Sequence, residues 1–108
     1  MERKYKILQV DPNNKDAIRF FGYDFVKDQG FCEDWYKEVY SSSIAKDDAA
    51  EDYVVLEDLF RIFNIDHPVD FKGHSLSCSD IVILDNSLVY FCDDFGWKKL
   101  DDFNWKVA

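Results

Sequence analysis

The 108-residue sequence sets 22 acidic side chains against 13 basic ones, and its formal charge of −9 opposes binding to DNA, RNA or anionic lipid, which are held by Lys and Arg that displace counterions. Hydrophobic residues make up 47% of the chain and aromatic residues 18%, too many core-forming side chains for a disordered acidic tail. One domain is expected at this length, and with no apolar run near the ~20 residues of a membrane span and no signal-peptide core at the start, a cytoplasmic protein is expected.

Along the chain, residues 5–10 form a β-prone run that Asp11-Pro12-Asn13-Asn14 breaks. Asn14 is placed to cap a short helix over residues 15–21, with Gly22 ending or kinking it and a further helical turn expected near residues 24–27. Residues 35–40 mix aromatic, β-branched and charged positions as a partly exposed strand does, and Ser41-Ser42-Ser43 extends it or begins a loop. Asp48 and Glu51 have the spacing of a capping box ahead of Tyr53, Leu56, Leu59, Phe60 and Phe63, which predicts a helix over residues 49–63. His67-Pro68 stops it, and residues 66–73 form the longest irregular stretch expected. Residues 80–84 and 88–92 are apolar runs separated by Asp85-Asn86-Ser87, a β-hairpin. The tail from Phe95 to Trp105 alternates large rings with charged pairs and fits a strand or a short helix. The expected fold is a compact α+β domain, a small and mostly antiparallel sheet packed by one main and one short helix.

No pattern in the chain carries catalysis or a metal. Gly73-His74-Ser75-Leu76-Ser77 approaches a nucleophile elbow, but a β-hairpin follows instead of a helix, and both histidines precede Ser75. The serines of this stretch are better suited to bonding a loop backbone. Cys32, Cys78 and Cys92 are odd in number and lack C-x-x-C spacing, so neither a disulfide framework, a zinc ribbon nor a cofactor is expected.

The acidic doublets carry the clearest hint of a partner. Asp47-Asp48, Glu51-Asp52, Asp93-Asp94 and Asp101-Asp102, with Trp97 beside the last, are the candidate partner-binding residues. Like charges three or four apart on a helix cost a few tenths of a kcal/mol, a cost that a cationic partner relieves. Carboxylates on rigid elements also stand in for phosphates in a basic groove, because an Arg fork binds either group.

The stretch from Asp70 through Gly73-His74-Ser75-Leu76-Ser77-Cys78-Ser79-Asp80 to Leu84, then Val89-Tyr90-Phe91 and Phe95-Gly96, resembles the YodL-like domains of Gram-positive bacteria and their mobile elements. The opening run of residues 5–10, Arg19-Phe20, Val39-Tyr40 and residues 56–64 are similar in order and spacing, so the resemblance covers most of the chain. Cys78 stands where Val is expected. The resemblance implies a setting of plasmids, integrative elements and phages, and within it a small acidic anti-CRISPR protein. It carries over no catalytic residue. The expected function is inhibition of a Cas9-type nuclease, or of its guide RNA complex, by an acidic face in the basic channel. The expected state is a monomer or weak homodimer. The alternatives are a non-inhibitory interaction module working through Trp97, Phe103 and Trp105, and a hydrolase at Ser75, His74 and Asp80.

Overall fold

The computed structural model describes residues 2–46 and 50–105. Five strands form one sheet: β1 (Glu2–Val10), β2 (Tyr36–Ala45), β3 (Ile81–Leu84), β4 (Leu88–Cys92) and β5 (Trp97–Leu100). Their order is β2-β1-β3-β4-β5, with every neighbouring pair antiparallel. Two α-helices, α1 (Tyr23–Val26) and α2 (Asp52–Ile65), and two 3₁₀ turns at Lys27–Gln29 and Glu33–Trp35 complete the described elements. The architecture is α+β, as expected.

The sheet is covered on both faces. On one, Tyr5, Ile7, Val82 and Leu84 pack against Val55, Leu56, Leu59 and Phe63 of α2 and against Phe71 and Leu76 of the segment that follows it. On the other, Leu8, Val10, Ile81, Ile83 and Phe91 pack against Val26, Trp35, Tyr36 and Phe103. Phe31 meets the rings of Trp35, Tyr36 and Phe91 edge-on, at centroid distances of 5.6, 5.9 and 5.6 Å. All four residues of β3 are buried, which is why that strand reads as an unbroken apolar run. Its hairpin to β4 turns through Asp85 and Asn86, whose φ angles of 53° and 65° are left-handed values that Asp and Asn tolerate better than most residues.

Two expectations need correction. Residues 15–21 are not helical: Asp11 Oδ1 accepts from Asn13 N (2.9 Å) and Asn14 Oδ1 from Asp16 N (3.0 Å), so the side chains expected to start a helix close two consecutive local turns instead. The main helix begins at Asp52 with Glu51 in the cap position, so Glu51 does not sit inside the first turn as a capping box requires. Asp47, Asp48 and Ala49 lie outside the described residues. Of the two forms expected for the tail, the strand is found: it supplies β5, which pairs with β4.

At the start of β1, Arg3 lies under the N-terminus of α2, 8% exposed. Its Nη2 donates to Asp52 Oδ1 (2.6 Å) and its Nε to Asp85 Oδ2 (2.8 Å), joining strand, helix and hairpin turn. Tyr90 Oη donates to Asp52 Oδ2 (2.6 Å). The Tyr90 bond and then the Arg3 bond hold the Asp52 carboxyl below the usual carboxylate range. Asp52 also carries a negative charge in the first helical turn, where the helix dipole favours it. Arg3→Leu is expected to lower stability by about 2 kcal/mol, because it takes the guanidinium from half-buried Asp52 and breaks the link to the Asp85 turn. The urea midpoint of unfolding reads this, and a midpoint unchanged from wild type would contradict the bridging role.

Candidate functional site

The segment of residues 73–80 folds over the end of β1 and is tied there by Gln9. The Gln9 amide is 2% exposed and shares a β1 face with Ile7. Its Nε2 donates to the His74 carbonyl (2.8 Å) and to Asp80 Oδ2 (3.1 Å), while its Oε1 accepts from His74 N (3.2 Å). Gly73 permits this approach, since a Cβ there would stand 2.4 Å from Gln9 Oε1. Within the segment, Ser77 N donates to Asp80 Oδ2 at 2.8 Å.

The far side of the segment is anchored through Ser79, which is fully buried at a φ of 81°. Its carbonyl accepts from Tyr36 Oη (2.6 Å) and its Oγ from Phe20 N (2.9 Å). Phe20 is itself left-handed, at a φ of 71°. Two residues without the freedom of glycine therefore hold strained conformations and are bonded to each other, a condition that persists only where surrounding structure over-determines it.

Asp80 is 1% exposed. Both of its donors, Gln9 Nε2 and Ser77 N, reach Oδ2, while Oδ1 lies 3.8 Å from His74 Nε2. Burial pushes its pKa up to about 8, against the opposing pull of the Ser77 and Gln9 hydrogen bonds. The imidazole Nδ1 lies 2.7 Å from the carbonyl oxygen of Ser75, its own neighbour, and the buried Nε2 has no hydrogen-bond partner among the described residues. Ser75 is exposed, and the bond between residues 74 and 75 runs to its backbone instead of its hydroxyl, so the geometry does not assemble an activated Ser75. Burial also pushes the Cys78 and Cys92 thiols up to about 12 each, away from thiolate reactivity. Among the described residues no group of three His, Cys, Asp or Glu side chains is arranged to hold a metal.

The acidic residues named from the sequence fall in separate places. Asp52 is committed to Arg3 and Tyr90, whereas Glu51 is exposed at the start of α2. Asp93 Oδ1 accepts from Tyr23 N (3.0 Å) and Asp94 N (2.8 Å), and Asp94 Oδ1 accepts from Cys78 Sγ (3.3 Å), so this doublet fastens the segment before α1 to the end of β4. Asp101 and Asp102 are exposed after β5. They share the lining of a cleft of about 470 Å³ with Glu33, whose Oε1 accepts from Asn104 N (2.9 Å). Glu33-Asp34 is a further acidic doublet of the sequence, and the link of Glu33 to Asn104 spans 71 positions, which no local pattern announces. Trp97 is half-buried and edge-on to Phe60 at 6.5 Å, while Phe103 is buried and stacked with half-buried Trp105. The expectation of an exposed surface at Trp97, Phe103 and Trp105 is therefore corrected. The exposed rings belong mainly to Phe20, Phe21, Phe25, Tyr53 and Phe95.

A family model described as YodL-like domain matches residues 4–103. No curated protein and no solved structure matches the chain. No helix among the described residues is long and apolar enough to cross a membrane.

The raised Asp80 pKa sets a pH dependence. An unfolded aspartate titrates near ~3.9, so the folded protein holds the extra proton between that value and about 8. Stability contributed by this site is present at low pH, is lost as pH rises through the interval, and the penalty is complete above it. Asp80→Asn keeps an oxygen for Ser77 N and removes the charge. Its stability relative to wild type is expected to improve by on the order of a few kcal/mol from pH 4 to pH 9. Urea unfolding of both proteins across this range reads the difference, and a pH-independent difference would exclude a raised Asp80 pKa.

Proposed function

This chain belongs to the YodL-like domain family, and from that premise we propose that it is a non-catalytic mobile-element protein that inhibits a Cas9-type nuclease. Its acidic surface docks in the basic nucleic-acid channel and blocks guide RNA or target DNA binding. The observation that carries this reading is the convergence of Glu33 with Asp101-Asp102 on one cleft, acids distant in sequence that the Asn104 N to Glu33 Oε1 bond helps draw together, with exposed Asp34 next to Glu33 in the chain. Carboxylates at Asp52, Asp58 and Asp85 are taken up by Arg3 and Lys46, so they contribute less to an outward field. Lys98 and Lys99 line the same cleft, with the Lys98 ammonium 5.1 Å from the centre of the Tyr23 ring. They dilute the local charge, which leaves the chain's excess of acids to supply the long-range attraction.

A second reading, a non-inhibitory interaction module, is favoured by the exposed rings beside Gly22. Phe21 and Phe25 are 50% and 47% exposed with centroids 4.8 Å apart, and Phe95 lies 98% exposed on the turn whose Asp93 bonds Tyr23 N. Such a surface binds through apolar contact and is insensitive to salt.

One experiment separates the two. Pull-down and cleavage assays with a Cas9-type nuclease, with and without guide RNA, should show inhibition that weakens steeply between about 50 and 300 mM salt. The fourfold variant Glu33→Gln, Asp34→Asn, Asp101→Asn and Asp102→Asn should lose at least ~tenfold in affinity. Full inhibition by that variant would sink the acidic-face reading. Loss of partner binding on Phe21→Ala with Phe25→Ala, at unchanged salt response, would favour the interaction module.

A further inference from the structure

In a chain where acids outnumber bases, one cleft reverses the balance. It has a volume of about 380 Å³ between β1, the edge strand β2 and residues 72–74, and it is lined by Arg19, Lys37, Lys72 and His74 against a single carboxylate, Glu38. Among the described residues, none of Arg19, Lys37 and Lys72 has a carboxylate within 4.0 Å. The three cations are therefore not consumed by internal pairs as Arg3 and Lys46 are.

The backbone aims these charges. The register of β1 with β2 shifts between Ile7 and Leu8, where Tyr40 opposes Ile7 and Glu38 opposes Leu8, leaving Val39 as the extra residue of a bulge. Past the bulge, Lys37 opposes Gln9 and shares its face, while Glu38 shares the opposite face with Leu8. The bulge thus sets Lys37 on the Gln9 side of the strand pair and Glu38 on the other, and both line the cleft at the sheet edge.

At the margin of the cleft stands a flat apolar shelf. Phe20 is 51% exposed, its ring is edge-on to His74 at 5.5 Å, and the Arg19 guanidinium lies 5.1 Å from its centre. The strained Phe20 backbone is held by Ser79 Oγ, which sets where the half-exposed ring emerges from the chain. A half-exposed aromatic ring beside cations without carboxylate partners suits a ligand with a charged end and a planar end, because bases stack on such rings and Arg and Lys bind phosphate oxygens.

We propose that this cleft binds a free mononucleotide, with the phosphate held by Lys37, Lys72 and Arg19 and the base stacked on Phe20. The volume is within the range of small-ligand sites. The repulsion of a phosphate by the remaining acids is screened over ~8–10 Å in physiological salt, a distance that the adjacent cations do not have to cross. This site lies apart from the Glu33 and Asp101 surface, so it stands or falls independently of the inhibitor reading.

Isothermal titration calorimetry of the full chain with adenosine 5′-monophosphate tests it, with adenosine, inorganic phosphate and a five-nucleotide single-stranded DNA as further probes. The monophosphate should bind with a Kd of about 0.1 mM or tighter, and both adenosine and inorganic phosphate at least ~tenfold more weakly. Lys37→Glu with Lys72→Glu should reduce monophosphate affinity at least ~tenfold; both side chains are exposed, so the fold is retained. Phe20→Ala should weaken the monophosphate and leave inorganic phosphate unchanged. No heat with the monophosphate at millimolar concentration, equal binding of adenosine, or indifference to the lysine reversal would overturn the proposal. Tighter binding of the oligonucleotide than of the monophosphate would overturn a free nucleotide as the ligand.

Discussion

A sheet whose β3 strand exposes no side chain must be roofed on both sides, and a chain of 108 residues has little material for two roofs. One helix, α2, covers part of one face. The rest of that face is closed by the irregular segment after α2, and the opposite face by the turn-rich chain between β1 and β2 together with the C-terminal residues. Irregular backbone laid against a core brings polar groups with it, and each buried donor or acceptor left without a partner costs roughly 1–3 kcal/mol. The polar side chains at the centre of the fold answer to that requirement.

Gln9 is the plainest example. It stands in a strand among apolar neighbours, and its amide supplies both a donor and an acceptor to the backbone of residue 74. Asp80, Ser79 and Tyr36 serve the same segment from below. Asp80 meets the requirement imperfectly, since a carboxyl out of water with only neutral donors favours its protonated form. The His74 Nε2 beside it remains without a partner among the described residues. The Gly73 to Asp80 stretch is thus first a backbone lock, and the basic cleft with its aromatic shelf is what the lock holds open at the surface.

Charge in this protein does two jobs. Asp52, Asp85 and Asp93 are structural, each joining elements far apart in sequence. Glu33 is tied in the same way to Asn104, while Asp34, Asp101 and Asp102 stay exposed, and the cations divide likewise, Arg3 inward and Lys37 and Lys72 toward solvent. A doublet in the sequence looks the same in either role. Only the presence of Arg3 under Asp52, or of the Tyr23 amide beside Asp93, distinguishes them.

The α+β class, the Ile81 to Cys92 hairpin and the inward stripe Leu56, Leu59 and Phe63 were legible in the sequence, because hydrophobic periodicity and turn chemistry are local properties. Membership of the YodL-like family was legible as well, from the Gly73 to Asp80 stretch and the order of the segments around it. The tertiary structure alone decided the rest. It made Asp11 and Asn14 close turns instead of a helix, drew Trp97 and Phe103 into contacts, placed Phe21 and Phe25 in solvent, and set Lys37 beside residues 72–74 through a bulge. The physical reason for all but the first is separation: the Asp11 and Asn14 side chains close turns on residues two positions on, whereas the other outcomes depend on groups distant in sequence, such as Phe60 for Trp97 and Gln9 for Lys37, and no pattern within one segment encodes which distant group will meet it.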